Sequence, residues 1–468
     1  YLSVRYDDGF VAYLNGVEVV RRHAPGQAGN PVPYDATATD YDNRLEVFDI
    51  SWAIEHLQPG NNILAVHGLN GGLSSRDFVI DAALYTSGAG SLCGVRTIVA
   101  SDELDLSGRA PACGTSSVEV NGQSADYDPI FARWSISVPL VPGVNDLVIR
   151  ALDAGGQEVA RTVVSVLRSA GTTEVGGVIG ADTTWTAEDS PYIVTSDVTV
   201  PEGVTLTIGP GTTVMLQPGT SLIIRGQLHA VGTESARIVL EGAQCNTWWG
   251  GLVFLNSRGP NRLEYCDIVN GSTVAGYPSC INLRNSVVHM SHCRLADFLG
   301  EGIDSRNDSQ LIITDSVIEN MNQAVRSNGS YCLLERVTIR DLHGSSADCV
   351  AINGESVPQS LLKDCVFANS AQDDGIDLDN SSARVEGCVV FGMRGPDAKG
   401  ISIGGGAPRI VRTLVYNCTN GIVLKDGTTT TIDYCTVAGS DVGIKLYEKT
   451  AGRGGGHGVV TNSILWGN

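Results

Sequence analysis

The chain is expected to be all-β: a right-handed parallel β-helix preceded by two β-sandwich domains. Three observations predict this. A Gly-Ile type of pair recurs as Gly302-Ile303, Ala324-Val325, Cys349-Val350, Gly375-Ile376, Gly400-Ile401, Gly421-Ile422 and Gly443-Ile444, at steps of 22, 25, 26, 25, 21 and 22 residues. A second column keeps phase with it: Cys266, Cys293, Ser316, Val337, Cys365, Cys388, Thr413, Cys435 and Ser463, each set in a short strand such as Leu361 to Phe367. A near-fixed period of roughly 20 to 30 residues, with two strand columns and no helical pattern between them, marks a coil of parallel strands. Finally, 56 glycines, 6% aromatic and 18% charged residues fit a turn-rich protein with a sizeable buried core.

At 468 residues the chain exceeds one ordinary domain. The expected divisions are a sandwich over 1–88, a second sandwich over 89–170, a linker over 171–177 and the β-helix over 178–468. In the first segment Asn15-Gly16 between Phe10–Leu14 and Val17–Val20 reads as a tight hairpin turn. Asp7 and Asp8 read as turn residues. In the second, Pro142-Gly143 and Gly155-Gly156 punctuate short strands, and Trp134 is the expected core plug. The last residues, Val460 to Trp466, read as one more rung without a cap, and the chain begins without Met or signal peptide; both suggest a piece of a longer protein. An open coil end exposes unpaired strand edges, so continuation of the chain or head-to-tail homotypic assembly is expected there.

The run Asp7 to Val19, with Asn62 to His67 and Ser74 to Phe78, resembles galactose-binding-like jelly-roll modules of large secreted bacterial proteins. Residues 89–170, with short strands such as Ser117 to Val120 and Val163 to Val166, are similar to bacterial immunoglobulin-like modules, which commonly act as spacers. The runs Trp185 to Tyr192, Val198 to Val214, Leu228 to Thr233 and Trp248 to Leu252, and the later Gly-Ile series, resemble secreted bacterial right-handed β-helix proteins of the pectin-lyase-like type, which often travel with spore-coat-type kinase and lamin-tail domains. That resemblance implies an extracellular or cell-surface location.

A net charge of −20 argues against nucleic acid, whose phosphates it would repel, and is compatible with divalent cations or neutral glycans. No stretch reaches the ~18 apolar residues of a membrane span, so no membrane insertion is expected in this segment. The cysteines of the second column are expected to be stacked core thiols, since neighbouring rungs point their side chains the same way. Cys93 and Cys113 lie outside the solenoid and form the expected disulfide.

In a coil of this kind equivalent positions stack, so a column in the sequence becomes a row on the surface. The residues before the Gly-Ile pairs are Glu301, Gln323, Asp348, Asp374, Lys399, Asn420 and Val442; those after it are Asp304, Arg326, Ala351, Asp377, Ser402, Val423 and Lys445. Asp348, Asp374 and Lys399 should therefore lie on consecutive rungs, with Asp373, Asp377, Asp379 and Lys425 near them. Oxygen ligands of this kind suit calcium, for which Asp373, Asp377 and Asp379 are the candidate ligands and Ca2+ the expected cofactor. The runs Asp348 to Asn353 and Lys399 to Gly404 resemble fragments of polygalacturonase-type hydrolases, although Lys399 stands where that family places a histidine; Gly456-His457-Gly458 lies two rungs later. On that resemblance Asp348, Asp374, Asp377 and Lys399 are candidate catalytic residues. A lyase would instead use Lys399 or Lys425 as base, with a lowered pKa. The leading expectation is a modular scaffold or adhesion protein that binds polysaccharide or cell-surface glycan. The alternatives are a polysaccharide lyase or glycoside hydrolase acting from the Asp/Lys ladder, and a calcium-stabilised surface-layer or filament component.

Overall fold

The structure is a computed structural model that describes residues 2–40, 43–48, 50–57, 62–72, 80–84, 97–111, 114–169, 171–243, 248–273, 276–344, 347–356, 358–370 and 372–468. Cys93 and Cys113, the expected disulfide, lie outside these residues. Among the described residues the regular structure is strand throughout, save for one 3-10 turn at Ser51–His56. No helix among them is long and apolar enough to cross a membrane. The chain divides into two compact units, Tyr1–Val95 and Arg96–Asn468.

In the first unit, Leu2–Asp7 lies between Asn43–Phe48 and Ile80–Leu84, and Gly9–Leu14 lies between Val17–Arg22 and Leu64–Leu69, all pairs antiparallel. Alternating residues of the two sheets, Leu2, Val4 and Tyr6 with Phe10, Ala12 and Leu14, fill one core. The expected hairpin turn is present, with Asn15 at φ 51° and Gly16 at φ 86°, both in the left-handed region such a turn requires.

The second unit opens with a five-stranded and a three-stranded sheet over Thr97–Arg168. Trp134 is buried between them, and a Cβ on Gly108 would sit 2.8 Å from its ring, which is why that strand position carries no side chain. The segment expected as a linker instead carries the strand Thr173–Val178, which pairs in parallel with Tyr192–Val200 and is already part of the solenoid. Ser169, also buried, has its Oγ within hydrogen-bond reach of the carbonyls of Gly171 and Ser190 across the junction, and its single proton goes to one of them.

The solenoid has three strand columns per coil, one more than the two read from the sequence. The segment read as one strand, Leu361 to Phe367, is two: Leu361–Lys363 and Val366–Ser370 belong to different sheets. Between them the chain bends at Asp364, with φ 52°. The same bend recurs at Tyr265, His292, Asp315, Arg336, Gly387, Arg412, Tyr434 and Asn462, each with positive φ and each just before a member of the Cys/Ser/Thr/Val column. That column points inward. Cys266, Cys293, Cys365, Cys388 and Cys435 are buried free thiols, as are Cys280, Cys332, Cys349 and Cys418.

The Gly-Ile column has a steric cause. At its first member a Cβ would approach the next coil: at Gly375 it would lie 2.7 Å from the Gly400 carbonyl oxygen, and at Gly302 2.5 Å from that of Ala324. Small residues therefore hold the position. The following Ile or Val enters the core, and the residue before the pair is tipped to the outer face of the sheet beside the alternating outward residues that follow.

Candidate functional site

Three rows of side chains share that outer face. The pairing Val325↔Val350↔Ile376↔Ile401↔Ile422 fixes their register. The first row runs Gln323, Asp348, Asp374, Lys399, Asn420. The second runs Arg326, Ala351, Asp377, Ser402, Val423, and the third Asn328, Asn353, Asp379, Gly404, Lys425. Asp348, Asp374 and Lys399 are thus on consecutive coils, about 4.8 Å apart along the axis.

These ionisable groups are mostly out of water. Asp348, Asp374, Lys399 and Lys425 are 9%, 3%, 4% and 4% exposed, whereas Asp373, Asp377 and Asp379 are half-buried. Asp348 accepts from Gln323 Nε2 at 3.1 Å and from the Asp374 backbone N–H at 3.3 Å. Gln323 is itself held by Arg326, which also pairs with Glu301 at 3.2 Å. Asp374 Oδ1 accepts from the Lys399 backbone N–H at 2.9 Å and from Lys399 Nζ at 3.2 Å. The remaining Lys399 donors go to Asp397, its carbonyl oxygen at 2.5 Å and its carboxylate at 3.2 Å. Lys425 Nζ donates to Ser402 Oγ at 2.8 Å and lies 3.6 Å from Asp377 Oδ1 and 3.9 Å from Asp379 Oδ1.

Burial sets the protonation of this cluster. Desolvation, followed by repulsion from Asp377, Asp373 and Asp374, raises the Asp348 carboxyl to about 9. Desolvation raises Asp374 to about 7, with Lys399 opposing and Asp377 and Asp373 adding to the rise. Asp373 and Asp379 are also raised, chiefly by burial. The two lysines move opposite to the expectation for a lyase base. Burial pulls both down, but Asp374 and Asp397 at Lys399, and Asp377 and Asp379 at Lys425, more than reverse it, so both pKa values are raised. These ammonium groups stay charged at neutral pH.

Of the set expected to hold calcium, Asp377 and Asp379 lie 3.6 and 3.9 Å from the Lys425 ammonium. The carboxylates that come within 4.8 Å of one another are those of Asp348, Asp373 and Asp374. The candidate catalytic residues Asp348, Asp374 and Lys399 do come together, and Asp377 lies beside them in the neighbouring row. His457, in the chain's one Gly-His-Gly, begins the strand His457–Thr461 of another sheet and takes no part. Asp397 was not legible in the sequence, since it lies in the loop before Lys399 with no periodic signal. Gly404 did carry one: it is the residue without a side chain in a row of Asn, Asp and Lys.

The family described as "Right handed beta helix region" matches residues 250–408 and 301–464. No curated protein matches the chain. Among solved structures, the chain is similar to the Azotobacter vinelandii mannuronan C-5 epimerase A-module, with 14% identity, coverage of 64% of this chain and 87% of that one, and a TM-score of 0.38. It is also similar to the catalytic unit of an alpha-1,3-glucanase from Streptomyces thermodiastaticus, with 14% identity, coverage of 100% and 88%, and a TM-score of 0.35. A third is a Yersinia enterocolitica exopolygalacturonase, with 11% identity, coverage of 80% and 98%, and a TM-score of 0.24.

Proposed function

We propose that the outer face of the sheet around Asp374 is the active site of a secreted glycan-cleaving enzyme that breaks a glycosidic bond by acid catalysis, with the two sandwich domains serving as spacers or glycan-binding modules. The observation that carries this reading is the buried Asp348–Asp374 pair, which keeps protons at a pH where ordinary aspartates have lost them. A solenoid needs no buried carboxyls for its fold or its solubility. Burying several, and holding them with two nearly unexposed lysines, is costly unless the altered acidity is used. This is why the site favours an enzyme over an adhesive surface.

In this reading Asp374, with a pKa near the working pH, gives its proton to the leaving glycosidic oxygen. Asp377 and the half-buried Asp373 supply the negative charge that faces the cationic sugar in the transition state or activates the attacking water. Asp348 remains protonated below Asp374 and accepts its backbone N–H, which fixes the acid in place. Lys399 holds the Asp374 carboxyl from the next coil. Charged lysines cannot abstract a proton, which favours hydrolysis over elimination.

The pH dependence of cleavage tests the assignment. At about pH 7 and just below it Asp374 carries the proton it must donate, so the rate should fall as pH rises from about 7 to 9. A rate that is flat or rising across that interval would remove Asp374 as the acid.

A further inference from the structure

The geometry points to Lys425 as the positioning residue of Asp377, and to Gly404 as the gap in the side-chain rows through which Lys425 reaches it; this rests on the reading of the face as an active site. Lys425 sits two coils beyond Asp377, in the row Asp379, Gly404, Lys425. To meet Asp377 and Asp379 its side chain must lie back across the intervening coil. A side chain at position 404 would stand in that path: a Cβ built there lies 2.9 Å from Lys425 Cε and collides with Asp379 Oδ1. Gly404 has no positive φ, so its backbone does not require glycine. The lysine's passage does.

The far end of that passage is unusual. Asp377 Oδ1 is inaccessible to solvent and has no hydrogen-bond donor among the described residues. Its nearest cation is the Lys425 ammonium at 3.6 Å, whose close hydrogen bond goes to Ser402 Oγ at 2.8 Å. A buried carboxylate oxygen left without a donor is costly. The Lys425 ammonium is the countercharge that offsets this cost. Lys425 then balances the charge of Asp377 and fixes its orientation without touching the reacting atoms.

The test uses the full chain with Gly404→Ala and Lys425→Met, the second of which leaves the gap intact. Lysine acetylation mapped by mass spectrometry reads the passage directly. In the parent protein Lys425 should label as slowly as the equally buried Lys399; in Gly404→Ala it should label at least about tenfold faster, while Lys399 stays protected and so reports an intact fold. Unchanged Lys425 labelling overturns the passage. On a glycan that the parent cleaves, both variants should lower kcat by about tenfold or more with little change in KM, and the double variant should be no worse than either alone. Faster labelling with unchanged kcat overturns the positioning role and leaves the active-site reading standing. Labelling as expected, with no glycan cleaved by the parent, supports the passage and counts against the active-site reading itself.

Discussion

Replacing Asp348 by asparagine should make the protein more stable at neutral pH, by an amount that depends on pH in a fixed way. An unfolded aspartate loses its proton near pH 4, whereas folded Asp348 keeps its proton until about 9. Between those values the native state binds a proton that the unfolded state has released, so this group lowers stability by about 1.4 kcal/mol for each pH unit of rise. The penalty is absent below the unfolded pKa, grows through the interval and levels off above the folded pKa. At pH 7 it reaches about 4 kcal/mol as a ceiling, because the neighbouring carboxyls share it. The asparagine side chain never titrates. It keeps an acceptor for the Asp374 N–H but turns an amide toward Gln323 Nε2, at a cost of about 1–2 kcal/mol. The variant should therefore be less stable than the parent by about 1–2 kcal/mol at pH 4 and more stable by about 2 kcal/mol at pH 7. Denaturant unfolding at half-unit steps between pH 4 and 8 reads the difference. A variant destabilised by the same amount at every pH would refute the buried-proton account of this site.

Other changes have equally direct readings. Gly302→Ala should cost about 1–3 kcal/mol in the same unfolding assay, because its Cβ would press on the Ala324 carbonyl oxygen at 2.5 Å and on Met321 Sδ at 2.7 Å; a neutral result would contradict the steric origin of the Gly-Ile column. Adding a chelator should leave the melting temperature within about 1 °C, since Lys425 already faces two of the three carboxylates expected to bind calcium. A fall of several degrees would show that a cation, and not this lysine, balances the cluster.

The sequence carried most of the solenoid because its constraint is local and repeated. A Cβ at Gly302, Gly375 or Gly400 meets the next coil, so a small residue had to recur there and the period became visible. The same regularity places Asp348, Asp374 and Lys399 on consecutive coils. The third strand column was missed because its boundary is a conformational event without a fixed residue type: Tyr265, Arg336, Asp364 and Arg412 all take the left-handed bend, and nothing in their identities marks it. Thr173–Val178 read as a linker because its glycines and lack of bulk hid a strand that pairs with Tyr192–Val200. The direction of the lysine shifts could not be read either, since it depends on which carboxylates lie across the coil and on Asp397 from a loop. Periodicity reports which residues stack. It does not report whether water reaches them, and the chemistry proposed for this face depends on that exclusion.

Asp374 is proposed to donate the proton that breaks a glycosidic bond. The most direct test of this is release of new reducing ends from a broad panel of neutral and acidic polysaccharides, comparing the parent protein with Asp374→Asn of matched melting temperature. The expected result is cleavage of at least one glycan by the parent, without the absorbance of an unsaturated uronate, and a loss of about a hundredfold or more in the variant. Silence of the parent across the panel, or undiminished cleavage by Asp374→Asn, would contradict it.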